Sequence, residues 1–181
     1  MLRGDKILKK RVGILLISAL AVGLESNGWA LVCDIGVPPT LSIEEDNSSF
    51  TLSFTDFVSG THSSTHGARY RIECNHMAAG AVSEAVSAKL GEIFESAKLE
   101  ASVDSYENVG DSSYATLSAA YSGFEEVRTS TKSLANKQTG APCCDTCLDG
   151  WLNVTWRAIL TQDTAAGSQN RSLIVTLRDG N

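Results

Sequence analysis

The chain of 181 residues has little proline and little histidine, three of each. So few prolines exclude a proline-rich or collagen-like chain, and with 20% charged and 43% hydrophobic residues it is not disordered throughout. It has no glycine-rich phosphate loop, no Gly-x-Ser-x-Gly elbow and no EF-hand spacing. Nothing in the pattern therefore directs the chain to nucleotide chemistry, to an α/β-hydrolase or to calcium. Positive charge is also short: 15 Lys and Arg face 21 Asp and Glu, for a net charge of −6 and a pI near 5.0. Binding along a phosphate backbone needs a basic face, so nucleic acid is not an expected partner. The length suits one domain with a sizeable core.

The basic residues that do occur gather at the start. Arg3, Lys6, Lys9, Lys10 and Arg11 precede an uncharged apolar run over residues 12–24. Thirteen residues fall short of the roughly twenty that a bilayer span requires. A basic start, a short apolar middle and then Asn27-Gly28-Trp29-Ala30 match a secretory signal with small residues before the cut. Residues 1–30 are expected to be a signal peptide cleaved after Ala30, and residues 31–181 a single mature domain. The leader takes five of the basic and two of the acidic residues, which leaves a mature charge of about −9. No later apolar stretch is long enough to span a membrane. The expected location is extracytoplasmic: periplasmic, cell-surface or secreted.

All five cysteines, Cys33, Cys74, Cys143, Cys144 and Cys147, lie beyond that cut. In an oxidising compartment most should pair, and all five are disulfide candidates. Five choices of the odd cysteine and three pairings of the rest leave fifteen schemes that sequence cannot separate. The preferred one joins Cys33 to Cys74, tying the mature N-terminus to a strand and closing a long loop. The cluster at 143–147 can then close one local loop and leave one thiol, a candidate for a bond between subunits. Cys144-x-x-Cys147 has the spacing of a redox pair, but Pro142 before it and Asp149-Gly150 after it read as loop, where such a pair normally opens a helix. Zinc would need further ligands, and no second Cys-x-x-Cys lies nearby.

Alternation of apolar and polar residues dominates the rest. Phe50, Leu52 and Phe54 share one face; so do Ala68, Tyr70, Ile72 and Cys74; so do Leu99, Ala101 and Val103. Leu152, Val154, Trp156, Ala158 and Leu160 form the longest such row, and Leu173, Val175 and Leu177 the last. Turn-forming clusters separate them, and residues 163–168 read as the turn of a terminal hairpin. Residues 82–97 carry both helical and strand spacing. Strand is favoured, because Gly91 would cost a helix about 1 kcal/mol. Residues 133–137 read as one helical turn. The expected fold is all-β: an antiparallel β-sandwich of about 7–9 strands after the cleaved signal peptide.

Candidate ligand residues are few. His62 and His66 share an i,i+4 spacing that suits a metal, but the Gly, Ser and Thr around them read as a loop. His76 beside Met77 suits a soft metal and lacks a third ligand. Trp151 could stack on a sugar or simply cap the sandwich. Sequons begin at Asn47, Asn153 and Asn170 and matter only in a glycosylating host. No cofactor and no catalytic residue is expected.

A signal peptide, Cys33 just after the mature start, the strand at 50–54, Cys74 at the end of Tyr70-Arg71-Ile72-Glu73-Cys74 and a last apolar strand at 173–177 give the chain a layout. That layout resembles exported pilin-like β-sandwiches: chaperone-assembled fimbrial subunits and secreted spore-coat-U-like proteins. The chain departs from them at Thr176-Leu177-Arg178-Asp179-Gly180-Asn181, which lacks a terminal aromatic, and in the extra cysteines at 143–147. The resemblance implies an immunoglobulin-like antiparallel β-sandwich and a non-enzymatic structural protein at the cell surface. It would be a subunit of a fimbria-like or coat assembly that adds strands edge to edge with neighbours, by self-association or with a protein partner. The other reading is a monomeric exported module that binds a carbohydrate or a protein.

Overall fold

The computed structural model describes residues 13–19, 42–45, 49–75, 77–142 and 144–178. Cys33, His76 and Cys143 lie outside the described residues, as do the expected cleavage site and the Asn47 sequon. Among the described residues every regular element is a strand. They are β1 (Gly13–Ala19), β2 (Ser42–Glu45), β3 (Ser49–Phe54), β4 (His66–Cys74), β5 (Val82–Leu90), β6 (Ala97–Asn108), β7 (Thr116–Ala119), β8 (Glu125–Val127), β9 (Lys132–Gln138), β10 (Leu148–Leu160) and β11 (Ser172–Leu177). Two sheets result, one ordered β3-β1-β11-β5-β9-β7 and the other β2-β4-β10-β6-β8. All pairings are antiparallel except that of β1 with β11.

The long strand β10 organises the second sheet. Its residues alternate between buried and half-buried over the whole length, so one face builds core and the other meets solvent. It is registered to β4 from Leu148↔Cys74 to Trp156↔His66, and to β6 on its other side. Trp156 is fully buried, and its indole N–H donates to the Tyr70 hydroxyl at 3.2 Å, which satisfies the one polar atom of the ring. The inward rows of both sheets meet in a single cluster, from Phe50, Leu52 and Phe54 through Tyr70, Ile72, Leu99 and Trp156 to Leu173 and Leu177. The molecule is an all-β, two-sheet sandwich.

Three expectations need correction. Ten strands follow residue 30 among the described residues, not seven to nine. The surplus comes from β2, β7 and β8, three or four residues each and too short to show a period. Residues 133–137 are not a helical turn but the body of β9, between β5 and β7, where burial of Leu134, Ala135 and Lys137 overrides local preference. The last two strands do not form a hairpin either. β10 and β11 lie in different sheets, so residues 161–171 cross the sandwich rather than turn back along one sheet. Of the ambiguous stretch at 82–97, the strand reading holds for β5, and Gly91 ends it.

Candidate functional site

The arrangement that sequence patterning missed lies in the first sheet. β1 comes from within the expected leader, yet it sits between β3 and β11. It pairs antiparallel with β3 from Gly13↔Phe54 to Ser18↔Ser49, and in parallel with β11 at Ser18↔Ser172 and Ala19↔Leu173. Among the described residues β3 joins the sheet only through β1. The strands on either side carry strong apolar rows: Phe50, Leu52 and Phe54 on β3, and Leu173, Val175 and Leu177 on β11, all buried. A signal was present, because the apolar run at 12–24 contains Ile14, Leu15, Leu16 and Ile17, and an apolar run of that kind suits a buried strand as well as a leader.

The outer edges are better protected. β2, β7 and β8 are short, and β8 begins with Glu125-Glu126; short, charged edges resist pairing with other chains. The outer edge of β3 is partly covered: Ser64 donates its backbone N–H to the Ser53 carbonyl at 2.8 Å, and Ser53 N–H donates to the Ser64 hydroxyl at 3.1 Å.

The cysteine loop packs at the start of β10. Asp145 anchors it: its carboxylate accepts hydrogen bonds from Gly80 N–H, from Gly140 N–H at 2.6 Å and from the Lys137 ammonium at 3.1 Å. Lys137 is fully buried and also donates to the Gly80 carbonyl. Burial acts to raise the Asp145 pKa, but these donors outweigh it and the pKa ends below the ordinary value. Met77 N–H donates to the Thr146 carbonyl at 3.0 Å, and Ala115 N–H to the Cys147 carbonyl at 3.0 Å. The loop is therefore held from three sides. No sequence signal marks Lys137 as buried, since it sits among polar neighbours. Cys74 is buried at the end of β4, Cys147 is buried and Cys144 is half-buried. Among the described residues no disulfide joins these three.

The histidines part company. His62 lies in the crossing after β3, in a single bridge to Ile159. His66 is not in a loop: it opens β4, and its ring stacks on Phe50 with centroids 4.5 Å apart. Burial lowers its pKa, and its Nε2 is buried without a hydrogen-bond partner. Among the described residues no cluster of three or more His, Cys, Asp or Glu is placed to hold a metal.

Trp151 lies on the outer face of β10, half-buried, with the guanidinium groups of Arg69 and Arg71 over its ring at 4.7 and 5.8 Å. Arg69 also pairs with Glu107 at 2.8 Å, and Arg71 with Asp149 and, at 3.6 Å, with Glu73. The ring is thus already partnered, in a charged ladder that crosses three strands. Asn153 joins that ladder through Arg69 and Ser105, so its sequon is engaged in the sheet.

Two hollows flank Ala97. One, of about 100 Å³, is lined by Phe54, Phe57, Leu160 and Gln169 among others; the second, of about 240 Å³, by Leu90, Ile93, Phe94 and Arg128 among others. Both are smaller than the roughly 300 Å³ at which small-molecule sites begin. No helix among the described residues is long and apolar enough to cross a membrane. No protein-family model matches the chain, and no curated protein matches it.

Proposed function

We propose that this chain is an exported structural subunit with an immunoglobulin-type sandwich, of the pilin-like or spore-coat-U-like kind, whose first sheet is completed by a strand from another molecule. One observation carries the reading: the strand that closes the sheet between β3 and β11 comes from the segment expected to be cut away after Ala30. Once that segment leaves, β3 loses six registered partners, and the backbone N–H and C=O groups facing β1 on both neighbours lose theirs. Unpaired backbone beside buried apolar rows is costly, and a donated strand relieves both defects at once. Partner and neighbour are then the same kind of object, which suits a fimbria-like or coat assembly at the cell surface. Strand exchange needs no catalytic residue.

The test compares the full chain with the chain cut after Ala30, by sedimentation and by melting. The cut chain is expected to self-associate, and a synthetic peptide of residues 13–19 is expected to return it to a monomer. A cut chain that stays monomeric and melts like the full chain would overturn the proposal. The alternative is a monomeric exported module that binds a carbohydrate or a protein; its carbohydrate form, built on Trp151, is the weaker reading because Arg69 and Arg71 already lie over that ring.

A further inference from the structure

We propose that Cys144 and Cys147 close a disulfide within the turn Cys144-Asp145-Thr146-Cys147. The backbone already brings the two residues together. Cys147 N–H donates to the Cys144 carbonyl at 3.1 Å, closing a four-residue turn, and the ends of such a turn lie within about 7 Å between Cα atoms. A disulfide needs about 4.4–6.8 Å. The turn is fixed at both ends and at its middle: Cys144 N–H donates to the Ala141 carbonyl at 2.9 Å, Ala115 N–H holds the Cys147 carbonyl, and Asp145 holds Lys137. Neither sulfur has to draw in a distant segment.

Placement favours this pair over Cys74 with Cys147. Cys74 lies opposite Leu148, and both belong to the main apolar core. Cys147 precedes β10 and, though buried, is not part of that core, whereas Cys144 stands at the other end of the same turn. The Tyr114 phenol pKa is raised, by burial first and then by the charge of Cys147 and of Cys144.

The chemistry balances with a disulfide as oxidant. The half-buried Cys144, as thiolate, attacks a sulfur of the oxidant, forming a mixed disulfide and releasing one thiol. The more buried Cys147 then attacks the Cys144 sulfur and expels the second. Two S–H groups lose two protons and two electrons, and the oxidant's S–S bond is reduced to two thiols.

The test is independent of the export reading, because the oxidant is supplied. The full chain is treated with glutathione disulfide, alkylated, and digested without reduction by an enzyme that cuts before aspartate. Residues 145–148 are expected to stay joined to the peptide that ends at Cys144 and to part from it on reduction, with fragment ions placing the bond on Cys144. Cys143→Ser is expected to keep the link and Cys147→Ser to lose it. Residues 145–148 recovered alkylated, or joined through Cys33, Cys74 or Cys143, would overturn the proposal.

Discussion

The imidazole of His66 lies flat on the phenyl ring of Phe50, the planes only 3° from parallel. Phe50 in turn stacks on Trp156, 6.1 Å between centroids, so the histidine caps an aromatic column that runs from β3 into the core. A neutral ring suits that position, since burial lowers the His66 pKa below its unfolded value near 6.5. The protonated form is therefore favoured in the unfolded chain. Stability is full above the unfolded pKa and is lost as pH falls through the folded one. Thermal melting of the full chain is expected to drop between pH 7.5 and 5, and His66→Phe to flatten that slope. Parallel pH profiles for the two proteins would show that another group titrates.

The Lys137–Asp145 pair calls for a different experiment. Each partner is buried, and Asp145 satisfies two backbone donors besides the lysine. Removing one charge strands the other in a dry site, so Lys137→Met is expected to cost about 3–5 kcal/mol in chemical denaturation. The low Asp145 pKa adds acid sensitivity. Its contribution is present above the unfolded value near 3.8 and is lost as pH falls through the lower folded one. A loss below about 1 kcal/mol for Lys137→Met would mean that the ammonium reaches water.

At Glu84 the backbone φ is +56°, a left-handed conformation that costs a residue with a Cβ about 1–2 kcal/mol. The cause is a break in the β5–β9 register between Val82 and Val86, where Glu84 N–H turns to the Asn136 side-chain oxygen at 2.9 Å. The Glu84 carboxylate makes only an exposed contact with Arg178 at 3.5 Å, so little is lost with the side chain. Glu84→Gly is expected to raise stability by about 0.5–1 kcal/mol, after the greater freedom of glycine in the unfolded chain is subtracted. A destabilised variant would place the weight on the Arg178 contact.

Period-two patterning marks β3, β4, β6, β10 and β11 as strands, because each turns an apolar row into the core. On β6 it misses Glu100, which is buried on the opposite face beside Lys98 and Arg157. It could not tell which sheet a strand joins. The step from β10 to β11 looks like a hairpin in sequence, since the crossing at 161–171 is as polar and turn-rich as a hairpin loop. Lys137 was illegible for another reason: its charge is answered by Asp145, eight residues on and brought back by the cysteine loop. The length and basic flank of the leader run speak of export and are silent on pairing with β3 and β11. For Trp151 the sequence offers sugar stacking or capping of the sandwich, and it hides the arginine partners, which lie across the register on β4.

That register also fixes a glycine. Gly150 stands between Ile72 on β4 and Asn108 on β6. A Cβ there would run into the Glu107 carbonyl and come within 2.5 Å of the Tyr106 ring. The first of these is backbone inside a ladder, so it cannot rotate away as a side chain would. The Tyr106 ring is itself confined: burial, and then the Asp149 charge, pushes its phenol pKa up to about 12. Gly150→Ala must therefore spread β6 from β10 at the end where Arg71 donates to the Gly150 carbonyl at 3.2 Å. The expected cost is about 1–3 kcal/mol. Spreading the strands should also carry Asp149 away from Arg71 and loosen the cysteine loop that leads into β10, so amide exchange at residues 147–152 should quicken more than at residues 156–160. Equal protection along the whole strand would mean that the clash is absorbed locally and that the close approach at Gly150 does not govern how β6 and β10 meet.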